Sequence, residues 1–310
     1  MKRSYKYRLE LTKSQTEVMQ HTFNFCRFLY NSSLQERRSF YEKFGKGISY
    51  NTQAAELREV KREFKDQVKP IYSQCIQHVL RRLDLAYESF FKRCEKGKTP
   101  GFPRFKKYDR FRSICFPQSN LHGFGVKLLD NNKLKIYGLP GEVKVKWHRP
   151  WKGRCKQVQI VKKADKFYLV LSCDDVPKNI LPSTGKTIGI DLGINSFATL
   201  DDGTSFHHPK PYKTAKEQLA NYQRKLALKQ KGSKNREKTK VALAKAHERI
   251  HNIREDFQHK LANKLIREND MIIIEKLNIQ DMLKSNSNSE VKNENITDAS
   301  WGSFCHKFDL

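Results

Sequence analysis

Acidic residues are scarce in this sequence, paired cysteines are missing, and no long apolar run occurs. The seven cysteines include no C-x-x-C pair, which leaves neither a zinc ribbon nor a thioredoxin-type motif to be built from them. An odd count without close pairs is also no disulfide scaffold, so reduced thiols in a cytoplasmic setting are expected. The longest unbroken apolar stretch is Phe167 to Leu171, far short of the about 20 residues a membrane-spanning helix needs. Met1-Lys2-Arg3-Ser4-Tyr5 leads into no apolar segment, so neither a secretory signal nor a membrane partner is expected. The 33 acids face 61 Lys and Arg in 310 residues, a formal charge of +28. Such a chain repels itself unless a polyanion compensates. Disorder is a poor explanation, because 11% of the residues are aromatic. A nucleic-acid binder of two or three domains is the class that survives.

Tyr5 to Leu11 alternates apolar and charged residues, the pattern of a half-buried strand. Thr12 with Gln15 forms a capping box that opens a helix, with Val18, Thr22, Phe25 and Leu29 on one face. Helical patterns continue to about Lys96, including Ile76, Leu80, Leu83 and Tyr87, and Gly97 to Pro103 breaks them. From about Ser113 to Asp175 the period becomes two: Val126/Leu128, Leu134/Ile136, Val143/Val145/Trp147, Val158/Ile160 and Phe167/Leu169/Leu171. Short strands at this spacing predict a small barrel or sandwich. The opening strand is expected to join it, which makes the helical block an insertion. After a linker from Pro177 to Gly185, apolar strands are predicted at Thr187 to Asp191, Phe197 to Leu200 and Met271 to Glu275. Two long helices lie between the last two, broken at Gly232-Ser233, the second striped by Ile250, Ile253, Phe257, Leu261 and Leu265. Ser285 to Ser289 reads as a flexible loop.

Two carboxylates carry the chemistry. Asp191 ends one apolar strand and Glu275 another. If those strands are parallel neighbours, both acids emerge at the end of the sheet where open α/β sheets hold ligands. Paired acids there suit divalent metals and phosphodiester cleavage; the plain alternative is that they cap helices or face solvent. Gly189-Ile190-Asp191-Leu192-Gly193 also looks like the phosphate loop of actin-like and sugar-kinase ATPases, but their later Gly-rich motifs are absent. His247-Glu248-Arg249-Ile250-His251 is a literal H-E-x-x-H. Cation crowding from Lys240, Lys245, Arg249 and Arg254 and the want of a third ligand argue against zinc. The N-x-S/T matches at Asn31 and Asn295 mean nothing without a secretory signal, and Cys305-His306 is too small a cluster for a metal.

Two basic runs suit a polyanion. Residues 224–240 hold eight cations (Arg224, Lys225, Lys229, Lys231, Lys234, Arg236, Lys238, Lys240) against one acid, a pattern for neutralising phosphates or merely a solvated face. Residues 91–112 interleave Lys92, Arg93, Lys98, Arg104, Lys106, Lys107, Arg110 and Arg112 with Phe102, Phe105, Tyr108 and Phe111. Cations beside rings suit a single-strand groove, unless the rings are core.

Taken in order, Tyr5-Lys6-Tyr7-Arg8-Leu9, Arg27-Phe28-Leu29-Tyr30-Asn31, Pro100-Gly101-Phe102-Pro103-Arg104-Phe105-Lys106-Lys107, Gly189-Ile190-Asp191-Leu192-Gly193, Asn252-Ile253-Arg254-Glu255-Asp256-Phe257, Ile274-Glu275-Lys276-Leu277 and Asp298-Ala299-Ser300-Trp301 resemble the TnpB (OrfB) family of insertion-sequence proteins, compact RNA-guided DNA nucleases. The resemblance implies an α+β multidomain fold over residues 1–178 and 179–310. The first is a wedge β-barrel (strand 5–11 plus about 111–175) carrying a helical recognition insertion at about 12–110. The second is a RuvC-like α/β domain of RNase H fold. It implies Asp191 and Glu275 as catalytic, Mg²⁺-binding acids, a guide RNA from the transposon end, and target double-stranded DNA with a short adjacent motif read near Gln74 and Gln77. In related nucleases base pairing chooses the sequence while protein reads backbone shape and the adjacent motif. Family members continue into a zinc ribbon and a final Asp, neither of which follows Trp301 here. Asp281, Glu290, Glu294, Asp298 and Asp309 match no third catalytic position. The sequence is therefore read as a truncated copy with no zinc and an incomplete Mg²⁺ site. A nuclease-inactive RNA-guided DNA-binding protein is the alternative.

Overall fold

The computed structural model describes residues 1–108, 110–178, 180–275, 277–284 and 290–308. The loop predicted at Ser285–Ser289, Lys276 and Asp309 lie outside the described residues. In chain order the elements are β1 (Arg3–Glu10), α1 (Lys13–Phe44), α2 (Tyr50–Glu63), α3 (Lys65–Val68), α4 (Ser73–Glu95), β2 (Ser113–Phe116), β3 (Val126–Leu128), β4 (Leu134–Ile136), β5 (Lys144–Lys146), β6 (Arg154–Lys163) and β7 (Lys166–Asp174). Then follow β8 (Thr187–Asp191), β9 (Ala198–Leu200), β10 (Ser205–Phe206), α5 (Pro211–Leu228), α6 (Lys234–Glu268), β11 (Met271–Ile274), α7 (Ile279–Lys284), α8 (Glu290–Ala299) and α9 (Trp301–Cys305). They divide into two units, Met1–Lys178 and Asn179–Leu310.

In the first unit β1 buries Tyr5, Tyr7 and Leu9 and turns its charged residues outward. It lies inside an antiparallel sheet of order β2-β6-β7-β1-β5. A separate β3–β4 ladder joins β5's approach through the Leu134–Val143 bridge. The Thr12 hydroxyl accepts from Gln15 N at 3.3 Å and the Gln15 side-chain oxygen accepts from Thr12 N at 3.0 Å. That closes a capping box and satisfies two donors that a helix start leaves unpaired. The same Gln15 amide donates to Pro140 O and Glu142 O at 2.8 and 3.0 Å, so one buried side chain both starts α1 and ties it to the segment before β5. The buried face of α1 is wider than the stripe read from sequence: Met19, Phe23, Cys26 and Tyr30 join Thr22, Phe25 and Leu29, while Val18 is half-buried. At Gly138, φ is +80° and an added Cβ would meet Pro70 O at 1.9 Å, so the chain there can carry only glycine.

The second unit is built on a mixed sheet of order β10-β9-β8-β11. β8 pairs parallel with β11 and antiparallel with β9. Ile188, Ile190, Phe197, Leu261, Leu265, Trp301 and Phe304 form its core. The α6 stripe departs from the sequence reading at Ile253, which is 38% exposed. The core-facing side at that turn is taken by half-buried Arg254, which reaches Asp298. β11 is an edge strand among the described residues, with Met271 and Ile273 57% and 58% exposed. An apolar strand edge of this kind is an association hazard. No helix is long and apolar enough to cross a membrane among the described residues, and all seven cysteines are free, including Cys155 and Cys173, which face each other across β6 and β7.

Candidate nuclease centre and nucleic-acid surfaces

Parallel pairing of β8 with β11 sets Met271 opposite Thr187, Ile272 opposite Ile188, Ile273 opposite Gly189 and Ile274 opposite Ile190. Asp191, the last residue of β8 and still paired with Thr199 of β9, and Glu275, the first residue after β11, follow these pairs at the same end of the sheet. The Leu192 N–H donates to Glu275 Oε1 at 3.3 Å, which anchors the Glu275 carboxylate beside the end of β8. Both acids are exposed. Neither forms an ion pair with any described residue, although cations outnumber acids nearly two to one in the chain. A hard-oxygen pair left without a counter-cation suits Mg²⁺, which binds through one or two carboxylates and keeps several waters. The donor chemistry therefore fits the ion. Among the described residues no cluster of three or more His, Cys, Asp or Glu could hold a metal.

Two other acids of this unit are engaged elsewhere. Asp270, at the opposite end of β11, accepts from Ser183 Oγ at 2.5 Å and from the Thr184 and Gly185 N–H groups at 2.8 Å. These bonds hold its carboxyl far below the usual range. Asp298 accepts from Arg254 Nε at 2.8 Å and Nη2 at 2.5 Å, and from Tyr212 N at 3.1 Å. This pair links two of the motifs singled out above, and the buried acid fixes α8 against α6 and the start of α5. Asp298→Ala should destabilise the chain by about 3–5 kcal/mol, because Arg254 would be left partly buried and unpaired. Urea denaturation measures this, and an unchanged midpoint would refute it.

In His247-Glu248-Arg249-Ile250-His251 both histidines are exposed while Glu248 is buried. His247→Ala and His251→Ala are expected to leave bound zinc and peptide cleavage at background. Stoichiometric zinc, lost in either variant by elemental analysis, would contradict this. His208 escaped the sequence reading. It stacks on Phe197 with centroids 5.6 Å apart, accepts from Lys210 N at 3.1 Å, and burial lowers its pKa. No spacing signal marks it.

The α5–α6 turn carries the larger basic run. Arg236 donates to Leu226 O and, at 2.7 Å, to Lys229 O. Lys229 Nζ donates to Thr239 Oγ1 at 2.5 Å and to Asn235 O at 3.3 Å. These two cations close the turn, whereas Arg224, Lys225, Lys231, Lys234 and Lys238 are exposed. In the first unit Arg104 and Lys107 are exposed. Lys106 is bracketed by Asn31, whose side-chain oxygen accepts from Lys106 N at 2.8 Å and whose amide donates to Lys106 O at 3.1 Å. Its ammonium lies 5.4 Å from the Tyr30 ring centroid, and burial, helped by Arg82, lowers its pKa. Of the interleaved rings, Phe111 is core, while Phe102, Phe105 and Tyr108 are exposed. Gln74 and Gln77 stand one turn apart on α4; the Gln74 amide donates to the Gln118 side chain and Gln77 is exposed.

Acids at the ends of parallel neighbours and a solvent-facing basic hairpin define a nucleic-acid-processing class. Comparison with known proteins agrees. Residues 171–286 match the OrfB family model of IS605-type elements, described as "Probable transposase", and residues 1–46 match one described as "Helix-turn-helix domain". Those 46 residues hold β1 and one uninterrupted 32-residue helix, not two helices. The chain is 30% identical over 305 residues to "Putative RNA-guided DNA endonuclease" of Streptomyces pristinaespiralis, covering 97% of this chain and 72% of that protein. It is 30% identical over 283 residues to "Putative RNA-guided DNA endonuclease InsQ" of Escherichia coli K12, covering 91% and 68%. A solved structure, "Cryo-EM structure of the Cas12f1-sgRNA-target DNA complex", is similar in fold, with a TM-score of 0.53 at 14% identity over 94% of this chain and 71% of that one. The chain belongs to the TnpB/OrfB family.

Proposed function

We propose that this chain binds a guide RNA and uses it to select and cut double-stranded DNA. In this reading the first unit is the wedge β-barrel with its helical recognition insertion, and the second is the RuvC-like nuclease domain of RNase H fold. The observation that carries the proposal is that Asp191 and Glu275 directly follow Ile190 and Ile274, the last paired residues of two parallel strands. The names of the two relatives, RNA-guided DNA endonucleases, support it. Asp191 and Glu275 would hold Mg²⁺, whose charge, when bound there, polarises a phosphodiester oxygen. The Leu192 N–H orients the Glu275 carboxylate. Arg224, Lys225, Lys231 and Lys234 would neutralise nucleic-acid backbone, as would Arg104 and Lys107, while Lys229 and Arg236 shape the turn that presents the first set. Gln74 and Gln77 would lie near the motif beside the target, and the guide RNA would come from the transposon end. The test is cutting of a target duplex by the protein–guide RNA complex with and without Mg²⁺.

A second reading, guided binding without cutting, is favoured by one observation: no third metal-capable side chain joins the pair among the described residues. Mg²⁺-dependent cutting by the 310-residue chain decides against it; binding of the target with no cutting decides for it.

A further inference from the structure

Between the C-terminal parts of α1 and α4 lies a cavity of about 420 Å³ that no role above uses. Its size falls within the range of small-ligand pockets. Its walls include the rings of Tyr41, Phe91 and Phe102, which are 61%, 55% and 39% exposed. Large rings left open to water in its lining invite a flat partner. In a chain with nearly twice as many cations as acids, the lining is unusual: two cations, Arg37 and Arg38, share it with three acids, Glu42, Asp84 and Glu88.

The protein's own cations already occupy ring faces there. The Arg37 guanidinium lies 5.2 Å from the Tyr87 centroid, and that of Arg38 lies 5.1 Å from Phe102 and 5.3 Å from Phe105. A cationic ligand is thereby disfavoured, and three acids disfavour a phosphate. Asp84 is engaged by Arg37 at 3.4 Å and Arg81 at 2.6 Å, and Glu88 by Arg81 at 3.6 Å. Glu42 forms no ion pair with any described residue, so an apolar occupant would desolvate a carboxylate without compensation. What remains is a neutral, planar group that stacks on rings and guanidinium planes and donates hydrogen bonds from its edge. Unpaired nucleobases are recognised in this way. Guanine alone offers two adjacent donors, N1–H and the N2 amine, to one carboxylate.

We propose that this cavity receives one unpaired guanine of a bound nucleic-acid strand, stacked against Phe91 and hydrogen-bonded at its edge by Glu42. The inference rests on the nucleic-acid reading above. The base can come from RNA or from single-stranded DNA, and the experiment separates the two.

Fluorescence anisotropy of the full chain would use a short oligouridine carrying one central guanosine, and its oligothymidine counterpart. The same strands with inosine or an abasic site in place of guanosine serve as references. The guanosine strand should bind about 5- to 150-fold more tightly than the abasic one, the span of measured base–aromatic stacking. Phe91→Ala, at an exposed position, should remove that advantage. Glu42→Gln should erase the preference for guanosine over inosine, which lacks the N2 amine. Both variants should bind the abasic strand as the wild type does, with the same salt slope, because no phosphate contact is lost. A larger advantage in the RNA series marks the guide as the source, and in the DNA series the target strand. Equal binding of guanosine and abasic strands, or an advantage that survives both substitutions, would overturn the site alone. Failure of every strand to bind at 50 mM salt would overturn the nucleic-acid reading and this site with it.

Discussion

Raising salt from 50 to 200 mM should weaken RNA binding by roughly 10³–10⁵-fold. The expectation follows from counterion release: each phosphate neutralised frees condensed cations, and a protein making about 6–10 such contacts loses affinity over that range by this factor. The chain has the means, since Arg224, Lys225, Lys231, Lys234 and Lys238 stand exposed around one helical hairpin and Arg104 and Lys107 around the segment before β2. Replacing Lys231 and Lys234 with alanine should reduce the slope of log K against log salt by about 2. Arg236→Ala should act differently: it removes donors to Leu226 O and Lys229 O and should loosen the hairpin before it alters the slope. A flat salt dependence in the wild type would contradict the electrostatic account.

The second large effect concerns cutting. Asp191→Ala and Glu275→Gln should each reduce guided, Mg²⁺-dependent cleavage by about 10³-fold, the rate equivalent of the several kcal/mol that a metal contributes to charge stabilisation at a phosphoryl centre. RNA affinity should not change, because neither side chain belongs to a basic surface. Both acids are exposed, so neither substitution opens a cavity, and an unchanged melting temperature should accompany the loss. Asp270→Asn is the informative control. Its carboxylate holds residues 183–185 at the other end of β11, so it should alter stability and leave the chemistry in place. Gel assays of single-turnover cutting, with circular dichroism on the same samples, separate these outcomes. Cleavage that persists at wild-type rate in Asp191→Ala would remove the pair from the chemistry.

Elements with strong local signals were legible in the residues. Thr12 and Gln15 marked a helix start that the capping box confirms, and the break read at Gly232-Ser233 falls where α6 begins, with the Ser233 hydroxyl accepting from Arg236 N at 3.1 Å. The alternation in residues 5–11 reappears as the buried and exposed faces of β1, and that of Phe167, Leu169 and Leu171 as the buried face of β7. The order of strands was not legible, because β1 meets β7 across more than 150 residues of chain, and pairing partners leave no periodic trace. Asp191 and Glu275 were legible as strand-end acids, but their adjacency depends on parallel register, which only the fold supplies. Charge pattern alone could not separate Lys229 and Arg236, which close a turn, from the exposed cations beside them. Nor could the α6 stripe reveal that Arg254 faces inward, since its partner Asp298 lies 44 residues away. The cavity at Tyr41, Phe91 and Phe102 had no signal beyond scattered rings on two helices and the segment after α4.

Guide reprogramming tests the central claim most directly. The protein is loaded with two guide RNAs that differ only in the segment complementary to the target, and each complex is given a duplex carrying both target sequences beside the same short motif. Cutting in Mg²⁺ should fall at the site matching each guide, move when the guide is exchanged, and vanish in Glu275→Gln. Cutting at one position whichever guide is bound, or no guide-dependent occupancy of either target, would contradict the account.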